Sequence, residues 1–335
     1  IAELGPIADN GIRGVIINRP APGALLDNAG QLMGYWVMLN AERDHLALPV
    51  SIERIRFFGP EPPPGCRLEC RVWIVEFGDT QVRADLELCC DGQVWALIED
   101  WNDKRFDSDD VVWPMLRFPE QYLLADPGDR PYVLVRERWR SPAARELMMR
   151  RYLSAAERVE YERNNPRAQR QWLLGRIAAK DAVRRWLWAH GAGPLFPVEI
   201  AVGNDERGRP LVSGPFQHDL RVSIAHKPGI AAAIVREGRD VGIDVEAIEP
   251  RTDRFAAMVL SDVEQAMMPQ GDTAEWLTRI WTAKEAAAKA RGTGFNGRPR
   301  DFALSRVDTE ELHIGDSCIR SQREGDFIVS WTDDH

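Results

Sequence analysis

The sequence predicts an α+β protein in two parts, and three observations predict it. Residues 24–40 carry apolar side chains nearly all round, the pattern of a helix buried inside other structure. Four strand-like runs follow, separated by turn signals, so one helix and an antiparallel meander form the first unit. Beyond a charged, proline-punctuated stretch, helices and short strands alternate, and 335 residues exceed one typical domain.

The runs of the first unit are Val50–Phe58, Arg67–Phe77, Gln81–Cys90 and Gln93–Trp101. Gly59-Pro60, Pro62-Pro63-Pro64-Gly65 and Asp91-Gly92 punctuate them, and Asp91-Gly92 between two alternating runs is a hairpin signal. Residues 1–102 are therefore one domain. Residues 103–135, opening on a charged run and carrying Pro114, Pro119, Pro127 and Pro131, are expected to be a linker. The second domain, 136–335, is reached through a strand over Tyr132–Glu137, with helices at 141–152, 154–163 and 167–189. Ser154 with Glu157 three residues on fits a capping box. Strands follow at 197–203, 219–224, 230–236 and 240–245, then a helix at 273–291, then strands near 301–307 and 326–332.

At 44% hydrophobic and 28% charged residues the chain can bury sizeable cores. A net charge of −9 argues against a nucleic-acid partner, although the arginine-rich stretch from Arg136 to Arg185 leaves room for a local anion site. No apolar run reaches the roughly 18 residues of a membrane span, so no membrane partner is expected. The first residues lack a secretory pattern and an initiator Met, which suggests a fragment of a longer polypeptide or a processed chain. Five cysteines (Cys66, Cys70, Cys89, Cys90 and Cys318) in no zinc or disulfide framework read as reduced thiols of a cytoplasmic protein.

Two segments carry chemistry. In Val241-Gly242-Ile243-Asp244-Val245-Glu246 a strand would point Asp244 and Glu246 the same way. Two carboxylates on one face repel unless a cation lies between them, and a small set of oxygen ligands suits Mg²⁺ beside substrate phosphate. In Trp281-Thr282-Ala283-Lys284-Glu285-Ala286-Ala287-Ala288-Lys289, Glu285 and Lys289 share a helix face. Taken singly, the acidic pair reads as a solvated strand face and the second segment as an ordinary helical ion pair.

Together and in this order they resemble the signature of the phosphopantetheinyl transferase superfamily, over about 195 residues from Leu134 onward. Arg167 with Leu174-Gly175-Arg176-Ile177-Ala178-Ala179-Lys180 resembles the family's first helix. Gly208-Arg209-Pro210 resembles its G-[KR]-P turn, and Ser223-Ile224-Ala225-His226 its S-x-S-H strand. The second serine of that strand is Ala225 here, which removes one hydroxyl. The length fits the surfactin-synthetase-activating type, built from two similar α+β halves (about 136–237 and 238–335) in a pseudo-two-fold arrangement.

That resemblance implies a holo-carrier-protein synthase. It would move 4′-phosphopantetheine from coenzyme A, lying between the halves, to a serine hydroxyl of an apo acyl carrier protein. It further implies that Asp244, Glu246 and Glu285 hold Mg²⁺ at the pyrophosphate, and that Glu285 or a metal-bound water takes the serine proton. Lys289 would protonate or neutralise the leaving 3′,5′-ADP. Arg167, Arg209, Ser223 and His226 would bind coenzyme A. Lys284 is placed with them, although its different helix face leaves a supporting role open. Arg176 and Lys180 are weaker candidates of the same kind.

Leu25-Leu26-Asp27-Asn28-Ala29-Gly30-Gln31-Leu32, followed by Leu48-Pro49-Val50, resembles the C-terminal hotdog of a polyketide-synthase dehydratase, a long helix wrapped by antiparallel sheet. The resemblance implies that Asp27, four residues before Gln31, is a buried acid with a raised pKa. Its histidine partner would come from a preceding hotdog, and His45 is the first histidine in this chain. A dehydratase half fused to a transferase suggests the end of a polyketide or polyunsaturated fatty-acid megasynthase that primes its own carrier domain. The alternative reading is a carrier-bound 3-hydroxyacyl dehydratase fragment whose C-terminal domain is structural or docks the carrier.

Overall fold

The computed structural model describes residues 1–43, 45–106, 110–139 and 142–333. Part of the charged run after residue 102, the first residue of the helix expected at 141–152 and the side chain at position 143 lie outside the described residues. The described chain divides into two compact units: Ile1–Trp113 with Trp139–Glu146, and Pro114–Arg138 with Leu147–His335. No described helix is long and apolar enough to cross a membrane.

The first unit opens with a hairpin, β1 (Glu3–Ala8) and β2 (Gly11–Ile17), then α1 (Ala24–Asn40), β3 (Leu46–Phe57), β4 (Arg67–Phe77), β5 (Gln81–Cys90) and β6 (Gln93–Phe106). The strands form one antiparallel sheet in the order β1-β2-β4-β5-β6-β3. Leu25, Ala29, Leu32, Met33, Trp36 and Val37 recur at helical spacing and bury one face of α1 against Ile12, Ile16, Leu68, Val72, Leu86 and Ile98. This is the expected hotdog arrangement. The helix is buried on one side rather than all round, since Leu39 is 48% exposed. The hairpin β1–β2 escaped the sequence reading despite its Asn10-Gly11 turn signal.

The segment expected as a linker is built into the fold. β6 continues to Phe106, and α2 (Val112–Arg117) follows. Residues 114–138 belong to the second unit, where Leu124 and Tyr132 are buried. The Leu124 and Ala125 N–H groups donate to the buried Asp181 carboxylate at 2.8 and 3.1 Å, so the prolines shape a packed crossing rather than a free tether.

The second unit repeats one topology twice. Its first half runs β7 (Val133–Arg136), α3 (Pro142–Tyr152) from Leu147 onward, α4 (Ala155–Arg163), α5 (Pro166–Ala189), a 3₁₀ turn at Pro197–Glu199, then β8 (Ala201–Asn204), β9 (Pro210–Ser213), β10 (Leu220–Lys227) and β11 (Ile230–Glu237). The turn stands where the strand expected from 197 would begin, because Pro197 has no N–H to give a ladder. The second half runs β12 (Ile243–Ala247), α6 (Asp253–Val259), α7 (Asp262–Met267), α8 (Thr273–Ala290), β13 (Leu304–Val307), β14 (Glu311–Ile314), β15 (Ser317–Glu324) and β16 (Phe327–Thr332). The sheets are ordered β7-β11-β10-β9-β8 and β12-β16-β15-β14-β13, so in each the first strand pairs with the last. α5 packs on the first sheet and α8 on the second. Tyr132, Leu134, Ile234, Ile243, Val245, Val329 and Trp331 join in a core shared by the two sheets.

One device is repeated in both halves. Ser154 and Ser261 each open a short helix in a capping box with Glu157 or Glu264. Each glutamate then accepts from a fully buried lysine of the long helix: Lys180 Nζ to Glu157 at 2.7 Å and Lys284 Nζ to Glu264 at 2.6 Å. Each lysine also donates to a carbonyl two residues before the serine, Tyr152 O at 2.6 Å and Val259 O at 2.8 Å. Each glutamate finally accepts from an outer-strand N–H, Val202 at 3.3 Å and Leu304 at 2.8 Å. Every polar atom of the clamp has a partner, which burial requires. Lys284→Ala leaves Glu264 charged and buried without its cation and is expected to cost about 3–5 kcal/mol in denaturant unfolding.

Candidate active site

Gly242 brings β12 and α8 together. A Cβ there would lie 1.8 Å from Ala286 O, so only glycine lets the strand close on the helix backbone. Strand alternation then sends Ile243 and Val245 into the inter-sheet core and turns Asp244 and Glu246 toward α8.

Asp244 is buried, and its Oδ1 accepts from Lys289 Nζ at 2.9 Å. Its Oδ2 is buried with no partner among the described residues. Lys289 Nζ also donates to Ile243 O at 3.0 Å and Ile224 O at 3.3 Å, drawing β10 to β12. Glu246 accepts from Trp281 Nε1 at 3.2 Å and pairs with Lys227 at 2.8 Å and Arg251 at 3.5 Å. Burial, with the charges of Asp244 and Glu246 behind it, pushes the Glu285 carboxyl up to about 7. Burial raises the Asp244 pKa too, against the pull of Lys289.

Three carboxylates thus crowd one place, with one oxygen orphaned. An oxygen-preferring divalent cation fits this donor set. The trio does not close to mutual distances within 4.8 Å, because Lys289 and Lys227 draw two of the carboxylates to themselves.

Lys289 also lines a cavity of about 330 Å³. Its other walls include Arg207, Arg209, Arg221, Ser223, Asp240 and the Gly292–Gly294 turn. Arg209 is held by Asp205 at 3.0 Å and Asp240 at 3.3 Å, its chain pressed under Gly292. Ser223 Oγ accepts from Ile243 N–H at 3.1 Å, so it laces β10 to β12 while facing the cavity. His226 follows on β10 with its ring against Gly175, where a Cβ would lie 3.1 Å from Cδ2. Protein packed round the ring, then Lys289, Lys227 and Arg176, holds the His226 pKa below the ordinary histidine value.

Of the residues expected here, Asp244, Glu246, Glu285 and Lys289 form one cluster, and Arg209 and Ser223 reach it across the cavity. Three others do not join them. Lys284 is fully buried in the clamp with Glu264, so it cannot meet coenzyme A without breaking that pair. Lys180 is excluded in the same way by Glu157. Arg167 is exposed in the first turn of α5 and does not line the cavity. Asp27 is not the buried acid expected of it. It is exposed on α1 and accepts from Gln31 Nε2 at 2.7 Å. The buried acid of the first unit is Asp103, which accepts from Trp101 Nε1 at 2.7 Å and is pushed by burial up to about 6. The sequence reading also missed Lys227 and Arg251 as partners of Glu246. Lys227 directly follows His226, and that adjacency was the available signal.

Residues 240–332 match the family model described as the 4′-phosphopantetheinyl transferase superfamily, and residues 22–110 that of the polyketide synthase dehydratase N-terminal domain. A holo-[acyl-carrier-protein] synthase of Exiguobacterium sibiricum is 31% identical over 88 residues, 26% of this chain and 69% of that protein. One from Streptococcus sanguinis is 30% identical over 93 residues, 27% of this chain and 77% of its own. The chain belongs to the 4′-phosphopantetheinyl transferase superfamily. A 4′-phosphopantetheinyl transferase of Nostoc sp. is 25% identical over 155 residues, 44% of this chain and 62% of that protein. Among solved structures, a dehydratase heterocomplex from Xenorhabdus doucetiae overlaps at a TM-score of 0.27 and 13% identity, over 34% of this chain and 86% of its own. The expected transferase and dehydratase resemblances are both borne out. For the latter, the matching model is the N-terminal domain, where the Asp27 motif suggested the C-terminal half.

Below a pH of about 7 Glu285 holds its proton and is a poor metal ligand. Any divalent-cation affinity that depends on Glu285, measured by calorimetry, should therefore weaken about tenfold for each unit of pH below about 7, and Glu285→Gln should flatten that slope.

Proposed function

We propose that the second unit transfers 4′-phosphopantetheine from coenzyme A to a carrier-protein serine, with Asp244, Glu246 and Glu285 as ligands of Mg²⁺. The observation that carries the reading is Lys289, which lines a cavity walled by three arginines and bonds the orphan-bearing Asp244. Mg²⁺ bound there would supply neutralisation of pyrophosphate charge.

The chain's own groups supply the rest. Arg207, Arg209 and Arg221 offer planar donors to phosphate oxygens along the cavity, and His226 adds a ring nitrogen at the near end of β10. In the transfer, the serine oxygen forms a bond to the β-phosphorus while the bond to 3′,5′-ADP breaks. Glu285, or a water held by the metal, would receive the serine proton. Lys289 would protonate or neutralise the leaving phosphate. The dehydratase fragment is the weaker reading, because its acid, Asp27, is exposed and paired to Gln31.

The test is an apo carrier domain incubated with coenzyme A and Mg²⁺ and weighed by mass spectrometry. The carrier should gain one phosphopantetheine group, and Asp244→Ala should slow the gain about 100-fold or more. A rate unchanged in that variant would remove the assigned metal site. The dehydratase-like front further suggests that the natural acceptor is a carrier domain of the same megasynthase. Loading of unrelated carriers in preference to the cognate one would reject that partner.

A further inference from the structure

On the far side of the second sheet from β12, three side chains of different chemistry converge. Glu311 and His313 alternate along β14 with Leu312 and Ile314, which are buried in the core against α8, so the first pair lies on the opposite face. Cys318 on β15 is the cross-strand partner of His313. Ligand atoms of Glu311, His313 and Cys318 all lie within 4.8 Å of one another, and they form the only such group among the described residues. All three residues are half-buried. His313 Nε2 is buried and has no hydrogen-bond partner among the described residues. Leaving a ring nitrogen dry and unbonded costs free energy that a ligand would recover.

The geometry points to a second metal centre, in which Glu311, His313 and Cys318 hold a zinc-class divalent cation. Oxygen, imidazole and thiolate together suit a borderline-soft d¹⁰ ion and not Mg²⁺, which takes oxygen. Three protein ligands leave a fourth, open position. The neighbouring charges permit it. Arg320 binds Glu311 Oε1 at 3.0 Å and is held on its other side by Asp333 at 2.7 Å, which leaves Glu311 Oε2 for the cation. Burial, then Glu311 and Asp333, raise the Cys318 pKa against Arg320 and Arg306, so the free thiol is protonated. Binding therefore releases the thiol proton to solvent and strengthens as pH rises. The ion would staple β14 to β15 in the half that bears the carboxylate cluster.

Cobalt(II) is the probe, added to the full chain with Mg²⁺ in excess to occupy the oxygen-only cluster. One equivalent should give a thiolate-to-cobalt charge-transfer band that survives Asp244→Asn and is lost in Cys318→Ser and His313→Ala. Absence of the band, or its persistence in Cys318→Ser, overturns the site. Should those variants fail to fold, the wild-type protein still decides. Zn²⁺ should slow alkylation of Cys318 about tenfold, mapped by peptide mass, and leave that of Cys66 unchanged. Equal Cys318 labelling with and without Zn²⁺ overturns the proposal. None of these readouts depends on phosphopantetheine transfer.

Discussion

The second unit is organised by a buried lysine–glutamate pair used twice. Glu264 closes the cap of α7, takes the charge of Lys284 on α8 and accepts the first N–H of β13. One carboxylate thus sets a short helix, a long helix and an edge strand. Removing two charges from water is costly and is offset only when every donor and acceptor is met, as here. Fixing Lys284 also fixes the rotation of α8. Glu285 lies about 100° further round the helix and Lys289 one further turn along, so both are carried to the β12 side.

The first half keeps the same clamp and has given the neighbouring positions other work. With Lys180 matched to Lys284, Asp181 falls where Glu285 stands. Asp181 is wholly buried, receives Tyr152 Oη at 2.9 Å and pairs with Arg184. Burial still holds its carboxyl up at about 6. The strand registers match Val133 and Val135 to Asp244 and Glu246, since Arg136 pairs with Ile230 as Ala247 pairs with Phe327. One copy fills those places with apolar packing and the other concentrates like charge there. Only the second gathers a carboxylate cluster.

Much of this was legible in the chain. Asp244 and Glu246 were readable as a pair because strand alternation has a period of two, and the capping box at Ser154 because its spacing is local. What failed was tertiary. Lys284 reads as a surface or phosphate-binding lysine until Glu264, twenty residues away, is brought under it. Asp27 reads as a buried acid because its neighbours are apolar, yet it stands on the outer face of α1 while Leu25 and Ala29 of the same turn enter the core. The short helices α6 and α7 were missed although Ser261 and Glu264 repeat the spacing of Ser154 and Glu157. β14 and β15 were missed because their outer face is polar. The expected linker was misjudged because Asp181, which captures Leu124 and Ala125, lies far along the sequence.

Lys284 and Glu285 are adjacent in sequence and answer to different physical demands. The lysine holds the helix in place, whereas the glutamate is free of the clamp. A descendant that had abandoned its chemistry would still need the lysine to fold, and could lose Glu285 without opening the clamp. Within this lineage, a retained lysine beside an altered acid would mark a protein that has become a scaffold.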